Sequence, residues 1–261
     1  LFGVERALIG VVHLGPLPGT PAGSVGVEAV VTRAVAEARL YAGAGYHGVL
    51  IENMGDRPYL RRSVGPEVVA AMTAAGLAVC QAVDLPVGVQ VLAGANPEAV
   101  AVAHAIGAAF VRVEGFVFGH VADEGVFQSD AGELLRYRRA IGADEVRVFA
   151  DVKKKHSSHA ITADVDLAET AAAAEFFLAD GVVVTGTATG APTAGADVKA
   201  VADRVSIPTL VGSGVDPDSI AGYGDADGLI VGSYVKHGGV WSNDIDPVRL
   251  EAMVQAFTAS Q

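Results

Sequence analysis

Eight short apolar runs recur along this chain, and each is followed by a longer window with helical periodicity. The runs cover residues 7–14, 48–53, 86–93, 110–116, 146–153, 181–186, 208–214 and 228–233. Each is rich in β-branched residues, as expected of a strand buried on both sides of a parallel sheet. Eight strands alternating with helices within 261 residues predict an α/β fold, specifically a (β/α)8 barrel forming a single domain over residues 1–261. A doubly wound open sheet is the rival. The barrel is preferred because the strand count reaches eight with no segment left over. Among the helical windows, "DLAETAAAAEFFLAD" places Leu167, Ala171, Ala174, Phe177 and Leu178 on one stripe. "DPVRLEAMVQAFTA" is expected to start with Asp246 as N-cap and Pro247 in the first turn. "PDSIAGYG" is the weakest helix of the set.

In such a barrel, chemistry gathers where strands end and βα loops begin. The unusual polar residues of this chain fall there: His13, Glu52, Asn53, Gln90, Arg112, Glu114, and the stretch from Asp151 to His156. Buried polar groups cost free energy unless they are paired, so a rim of them at one end of successive strands points to function rather than packing. Each one taken singly could be a satisfied structural residue.

Charge sharpens the fifth strand. The chain carries a net charge of −12, and only five of its 18 basic residues are lysine. Three of the five crowd into "FADVKKKHSSH". Strand alternation puts Asp151, Lys153 and Lys155 on one face and Lys154 and His156 on the other. A carboxylate and two ammoniums converging on the barrel mouth would suit proton transfer, enediolate stabilisation or anion binding. Alternatively, the strand stops at Lys153 and the remainder is a solvated basic loop.

Glycine supplies a second signal. "VTGTATGAP" (184–192), "VGSGV" (211–215) and "VGSYVK" (231–236) follow the sixth, seventh and eighth strands. Gly212, Ser213, Gly214, Gly232 and Ser233 are therefore candidates for a phosphate cradle built from backbone N–H groups, with Gly186 beside them. Tight turns that need glycine are the alternative. No P-loop, dinucleotide fingerprint, HExxH or G-x-S-x-G pattern occurs. No cofactor is evident. A divalent metal is compatible with His13, Glu52, Glu114, Asp151 and His156, which come from separate strands, but nothing demands one.

Composition excludes other classes. An acidic surface repels nucleic acid. No apolar run approaches the about 18 residues of a membrane span, and no signal peptide is visible, so the expected setting is the cytoplasm. The single cysteine, Cys80, lies in an apolar helical stretch where burial is expected, and it precludes an internal disulfide. An acidic, lysine-poor, Ala/Val-rich composition suits a high-salt cytoplasm. The chain opens on Leu1, so a trimmed start is expected.

"IGVVHLGPLPGTP" (9–21), "IENMGDRPY" (51–59), "FADVKKKHSSH" (149–159), "VVVTGTATGAP" (182–192) and the segment 227–254 together resemble the BtpA/SgcQ family along nearly the whole chain. That family takes its name from a cyanobacterial photosystem I biogenesis factor. The resemblance implies a phosphate-binding TIM barrel. Its pattern falls on His13, Pro16, Pro18, Asn53, Gly55, Asp56 and Pro58, then on Asp151, Lys155 and His156, and on Thr185, Gly186, Thr189, Gly190 and Pro192. Lys153 and Lys154 read as local variation. The loops "VQVLAGANPE" and "RVEGFVFGHVADEGVF" depart from the family pattern, so the substrate is expected to differ as well.

These readings converge on an enzyme for a small phosphorylated metabolite, a sugar phosphate or nucleoside-derived compound. Asp151, Lys155, His13 and Glu114 are its catalytic candidates, and Asn53, Asp56, Arg112, His156 and Thr185 its substrate-binding ones. A non-catalytic assembly factor that keeps the barrel is the alternative. Beyond the phosphorylated ligand, the partner expected is a second copy of the chain.

Overall fold

The computed structural model describes residues 1–23, 26–186 and 193–261. In chain order its strands are β1 (Ala7–His13), β2 (Gly48–Glu52), β3 (Val87–Gln90), β4 (Phe110–Val113), β5 (His120–Ala122), β6 (Gly125–Phe127), β7 (Arg147–Val152), β8 (Ser157–Ser158), β9 (Gly181–Thr185), β10 (Thr209–Gly212) and β11 (Gly228–Val231). Eight of them close into a parallel barrel in the order β1-β11-β10-β9-β7-β4-β3-β2. These eight are the apolar runs predicted from sequence, each trimmed by one to several residues. The remaining three, β5, β6 and β8, form a small antiparallel sheet that periodicity did not reveal.

Among the described residues seven α-helices alternate with the barrel strands: α1 (Val27–Gly43), α2 (Pro66–Ala82), α3 (Asn96–Ile106), α4 (Ala131–Ala140), α5 (Leu167–Phe176), α6 (Gly195–Ala202) and α7 (Pro247–Ala259). After β10 the weak window holds only a 3₁₀ turn, Ile220–Tyr223, as its length and glycines suggest. Asp246 caps α7 by accepting from Val248 and Arg249, with Pro247 in the first turn. A capping box between Asp166 and Glu169 starts α5. The stripe expected on α5 holds only in part. Ala171 and Ala174 are buried, but the helix ends at Phe176, and Phe177 and Leu178 stand exposed beyond it. Leu178 takes a left-handed φ of 68°, which turns it off the stripe. Cys80, expected to be buried, is only partly so. No helix among the described residues is long and apolar enough to cross a membrane.

The interior of the barrel explains where the polar rim comes from. Its apolar plug consists of Ala7, Ile9, Val11, Leu50, Phe110, Phe149, Val183, Leu210 and Ile230. Phe110 and Phe149 meet edge to face with centroids 5.5 Å apart. Each ring fills the space left by a neighbouring glycine. A Cβ on Gly88 would stand 2.2 Å from Phe110, and one on Gly181 would stand 2.3 Å from Phe149. Two residues further along each strand, the inward column ends on a polar group or a glycine. Val11 leads to His13, Leu50 to Glu52, Phe110 to Arg112 and Phe149 to Asp151. Val183, Leu210 and Ile230 lead to Thr185, Gly212 and Gly232.

Candidate active site at the carboxyl ends of the strands

Two contiguous cavities open at this end. One, of about 220 Å3, is lined by His13, Glu52, Arg112 and Lys155 on one side and by Ser213, Gly214, Gly232, Ser233 and Arg249 on the other. The second, of about 280 Å3, is bounded by Tyr59, Gln90, Glu114, Glu124, Lys154, His156 and Trp241. Glu52, Met54, Arg112 and Lys155 belong to both walls.

Beneath the shared wall, Arg112 donates from Nε and Nη2 to the two oxygens of Asp151 at 2.8 and 3.0 Å. Both side chains are buried. Asp151 outweighs the penalty of burial on the guanidinium and holds it charged. Strand alternation grouped Asp151 with Lys153 and Lys155; the planar fork of Arg112 on the adjacent strand takes it instead. The Lys155 ammonium makes no ion pair or hydrogen bond among the described residues. Burial pushes its pKa down, Arg112 adds to the fall, and Glu52, Asp151 and Glu114 oppose it. Burial likewise raises the Glu52 carboxyl; Glu114 and Asp151 add to the rise, while Arg112 and Lys155 oppose it. An acid held high and an amine held low thus share one wall, the pattern that separates acid and base roles in a site. Glu52 was visible at the second strand's end, but only as one rim residue among several.

The lysine run does not follow strand alternation. β7 ends at Val152, and Lys153 takes a left-handed φ of 49°. Its ammonium turns away to the carbonyls of Thr162 and Val165. Lys154, expected to face outward, is buried. It donates to Glu114 at 2.9 Å, lies 3.7 Å from Glu124 and stands over the Phe127 ring. Glu114 also accepts from Gln90 at 3.4 Å. The β5–β6 hairpin supplies Glu124 and Phe127, and β8 pairs along β5 and follows the lysine run. The bland alternative of a solvated basic loop is therefore wrong for Lys154. His156 is exposed at the second cavity, with φ 54°.

His13 is buried, and its pKa falls to about 3 through burial, with Lys236, Lys155 and Arg33 adding to the fall. The ring is neutral, and its Nδ1 has no hydrogen-bond partner among the described residues. It lies against Gly232, where a Cβ would stand 2.8 Å from His13 Cε1. Gly212 sits one step below the cavity, whereas Ser213, Gly214, Gly232 and Ser233 line it. Arg249, missed in the sequence, stacks over Tyr234 with 4.4 Å to the centroid and donates to the Tyr234 carbonyl. It lies in the first turn of α7, where no pattern set it apart. Trp241 and Arg57, stacked at 5.0 Å, were missed for the same reason.

Asn53 and Asp56 do something other than face the cavities. The Asn53 carbonyl accepts from Leu92 N–H at 2.7 Å, and its amide donates to Asp56 at 2.9 Å. Asp56 in turn accepts from Leu17 N–H at 2.7 Å. Together they tie the loops after β1, β2 and β3, bracing the mouth rather than touching its contents. Thr185 ends the β9 column with a buried hydroxyl that has no partner among the described residues, and Gly186 follows it. Thr189, Gly190 and Pro192 lie outside the described residues. Among the described residues no three His, Cys, Asp or Glu side chains converge as metal ligands. Asp151 and Glu114, two of the suggested ligands, are held by Arg112 and Lys154.

Comparison with known proteins adds lineage to this geometry. The model described as BtpA family matches residues 4–259. A Caenorhabditis elegans protein described as uncharacterised and mitochondrial is 41% identical over 261 residues, covering 98% of this chain and 94% of that one. The photosystem I biogenesis protein BtpA of Synechocystis is 37% identical over 258 residues, covering 98% and 89%. Among solved structures, a thiamine phosphate pyrophosphorylase from Pyrococcus furiosus superposes with a TM-score of 0.57 at 14% identity, covering 98% and 96%. Phosphoribosyl anthranilate isomerase from Thermus thermophilus gives 0.58 at 13% identity, covering 98% and 100%. At such identities these two likenesses speak for the barrel alone.

Proposed function

The chain belongs to the BtpA family, and from that premise we propose that it is an enzyme acting on a small phosphorylated metabolite, a sugar phosphate or nucleoside-derived compound, by acid/base chemistry at the carboxyl ends of its barrel strands. One observation carries the reading: Lys155 and Glu52 share a cavity wall that faces the Gly-Ser loops after β10 and β11. Backbone N–H groups in glycine loops together with Arg249 suit a phosphate, and Lys155 and Glu52 then flank whatever the phosphate carries. The second cavity offers Tyr59 and Trp241 as apolar surface and Gln90 and Glu114 as polar contacts for the rest of the molecule. The barrels with similar architecture include enzymes named for phosphorylated compounds, which is consistent with this choice.

Trp241 is the only tryptophan of the chain and stands at the second cavity. Its fluorescence therefore reports entry of a ligand. Titration with a panel of sugar phosphates and nucleoside monophosphates should give a saturable change with at least one of them, and none with the dephosphorylated counterpart. A flat response across the panel, with no heat from inorganic phosphate by calorimetry, would sink the proposal. The name of the Synechocystis relative favours a second reading, a barrel kept as an assembly factor. On that reading, Glu52→Gln and Lys155→Met would leave the assembly function intact.

A further inference from the structure

We propose that Lys155 is a covalent catalyst, an amine that condenses with the aldehyde or ketone carbon of a phosphorylated substrate to form an imine. The inference rests on the reading above and deepens it by naming the substrate class: a phosphate ester that also carries a free carbonyl.

Geometry selects Lys155 from the lysines. Lys154 and Lys236 are committed to buried ion pairs with Glu114 and Glu37. Lys153 is tied to backbone carbonyls. Lys199 lies on the surface beside Asp203. Among the described residues only Lys155 lines a cavity with an ammonium that has no ion-pair or hydrogen-bond partner, and it borders both cavities at once. The fixed guanidinium of Arg112 stands behind it. Placing an amine in a desolvated pocket beside a second cation is a known way to keep the nitrogen lone pair available at neutral pH. The direction of the Lys155 pKa, downward, agrees.

Glu52 completes the step. The Lys155 lone pair attacks the carbonyl carbon; the C–N bond forms as the C=O π bond opens, and the oxygen takes the proton of the Glu52 carboxylic acid. The Glu52 carboxylate then removes the surplus proton from nitrogen. It returns that proton to the new hydroxyl, which leaves as water while the nitrogen lone pair closes the C=N bond. The products are a protonated imine, one water and ionised Glu52, whose charge neutralises the iminium. No oxidant, reductant or further reactant is needed. Burial holds the Glu52 carboxyl high, so it carries the initial proton over a wider pH range than an exposed glutamate.

The probe is glyceraldehyde 3-phosphate with sodium cyanoborohydride, which reduces an imine to a stable secondary amine; adduct sites are mapped by peptide mass spectrometry. The expected adduct is on Lys155, suppressed by excess inorganic phosphate and lost in Lys155→Met, whose melting temperature stays near that of the parent. Exposed Lys199 is the internal control for indiscriminate reaction. Label on Lys199 with none on Lys155, while calorimetry detects phosphate binding, overturns the covalent role and leaves the phosphate reading standing. Equal labelling of Lys155 by unphosphorylated glyceraldehyde, with no heat from phosphate, overturns the phosphorylated substrate and the proposal with it.

Discussion

Arg112 and Asp151, on the adjacent strands β4 and β7, are joined by two parallel hydrogen bonds of 2.8 and 3.0 Å at the floor of the cavity. Both side chains are buried, so each charge depends on the other. Truncating one partner of such a pair strands the other and costs about 3–5 kcal/mol, whereas replacing both with apolar residues is often neutral. Arg112→Met should therefore lower the urea midpoint markedly, and Arg112→Met/Asp151→Leu should recover most of the loss. A double variant no more stable than the single one would show that the pair matters by shape rather than charge.

Lys154 and Lys155 should part company under mutation. Lys154→Met leaves Glu114 buried without its ammonium, so a stability loss of about 3–5 kcal/mol is expected. Lys155→Met removes a side chain with no ion pair and should leave the melting temperature nearly unchanged. Its effect falls on binding instead. Loss of one charge-assisted contact, about 1.5–3 kcal/mol, weakens a phosphorylated ligand by roughly ten- to a hundredfold. Thermal melts and Trp241 titrations of the two variants give the answer, and the reverse assignment would refute it.

The lysines also mark where sequence reading stops. The eight barrel strands were legible because burial on both faces leaves a continuous apolar signature, and the inward column carried His13, Glu52, Arg112 and Asp151 along with it. Strand parity then failed at Lys153, whose left-handed φ no residue type there announces. The β5–β6 hairpin was hidden by strands of three residues, although Gly125, with φ 114° after Asp123 and Glu124, is a turn signal. Asn53 and Asp56 were found at the right end of the barrel, but their partners, Leu92 and Leu17, lie in other loops. Arg249 and Trp241 reach the site from segments whose local pattern is that of an ordinary helix and loop.

His13 should make the protein acid-sensitive in a specific window. Its folded pKa is about 3 against an ordinary 6.5. Below pH 6.5 the unfolded chain takes up a proton that the folded one refuses, so stability falls as pH drops and levels off only near pH 3. Between pH 7 and 4.5 the contribution is about 2–3 kcal/mol. His13→Asn should show a correspondingly shallower decline in urea midpoint over that range. Equal slopes would mean that His13 takes up its proton in the folded state.

Salt should stabilise the chain. A net charge of −12 on a single barrel implies self-repulsion. About 1 M KCl shortens the screening length to about 3 Å and removes most of it. The melting temperature is expected to rise from low to molar KCl, and a flat or falling trend would count against a high-salt origin.

Gly232 tests the phosphate corner directly. It ends the inward column of β11, and a Cβ there would stand 2.8 Å from His13 Cε1 and 3.2 Å from Nε2. His13 is buried and cannot retreat without disturbing the cavity wall, so Gly232→Ala must displace either the ring or the loop that carries Ser233. Either movement misaligns the backbone N–H groups toward an anion. Calorimetry with inorganic phosphate should show at least about tenfold weaker binding, the equivalent of about 1.4 kcal/mol. Gly222→Ala is the matched control, because a Cβ there meets nothing within 4 Å. If Gly232→Ala binds phosphate as the parent does while Gly222→Ala is likewise silent, the anion does not sit between these loops. The glycine would then serve only to seat His13.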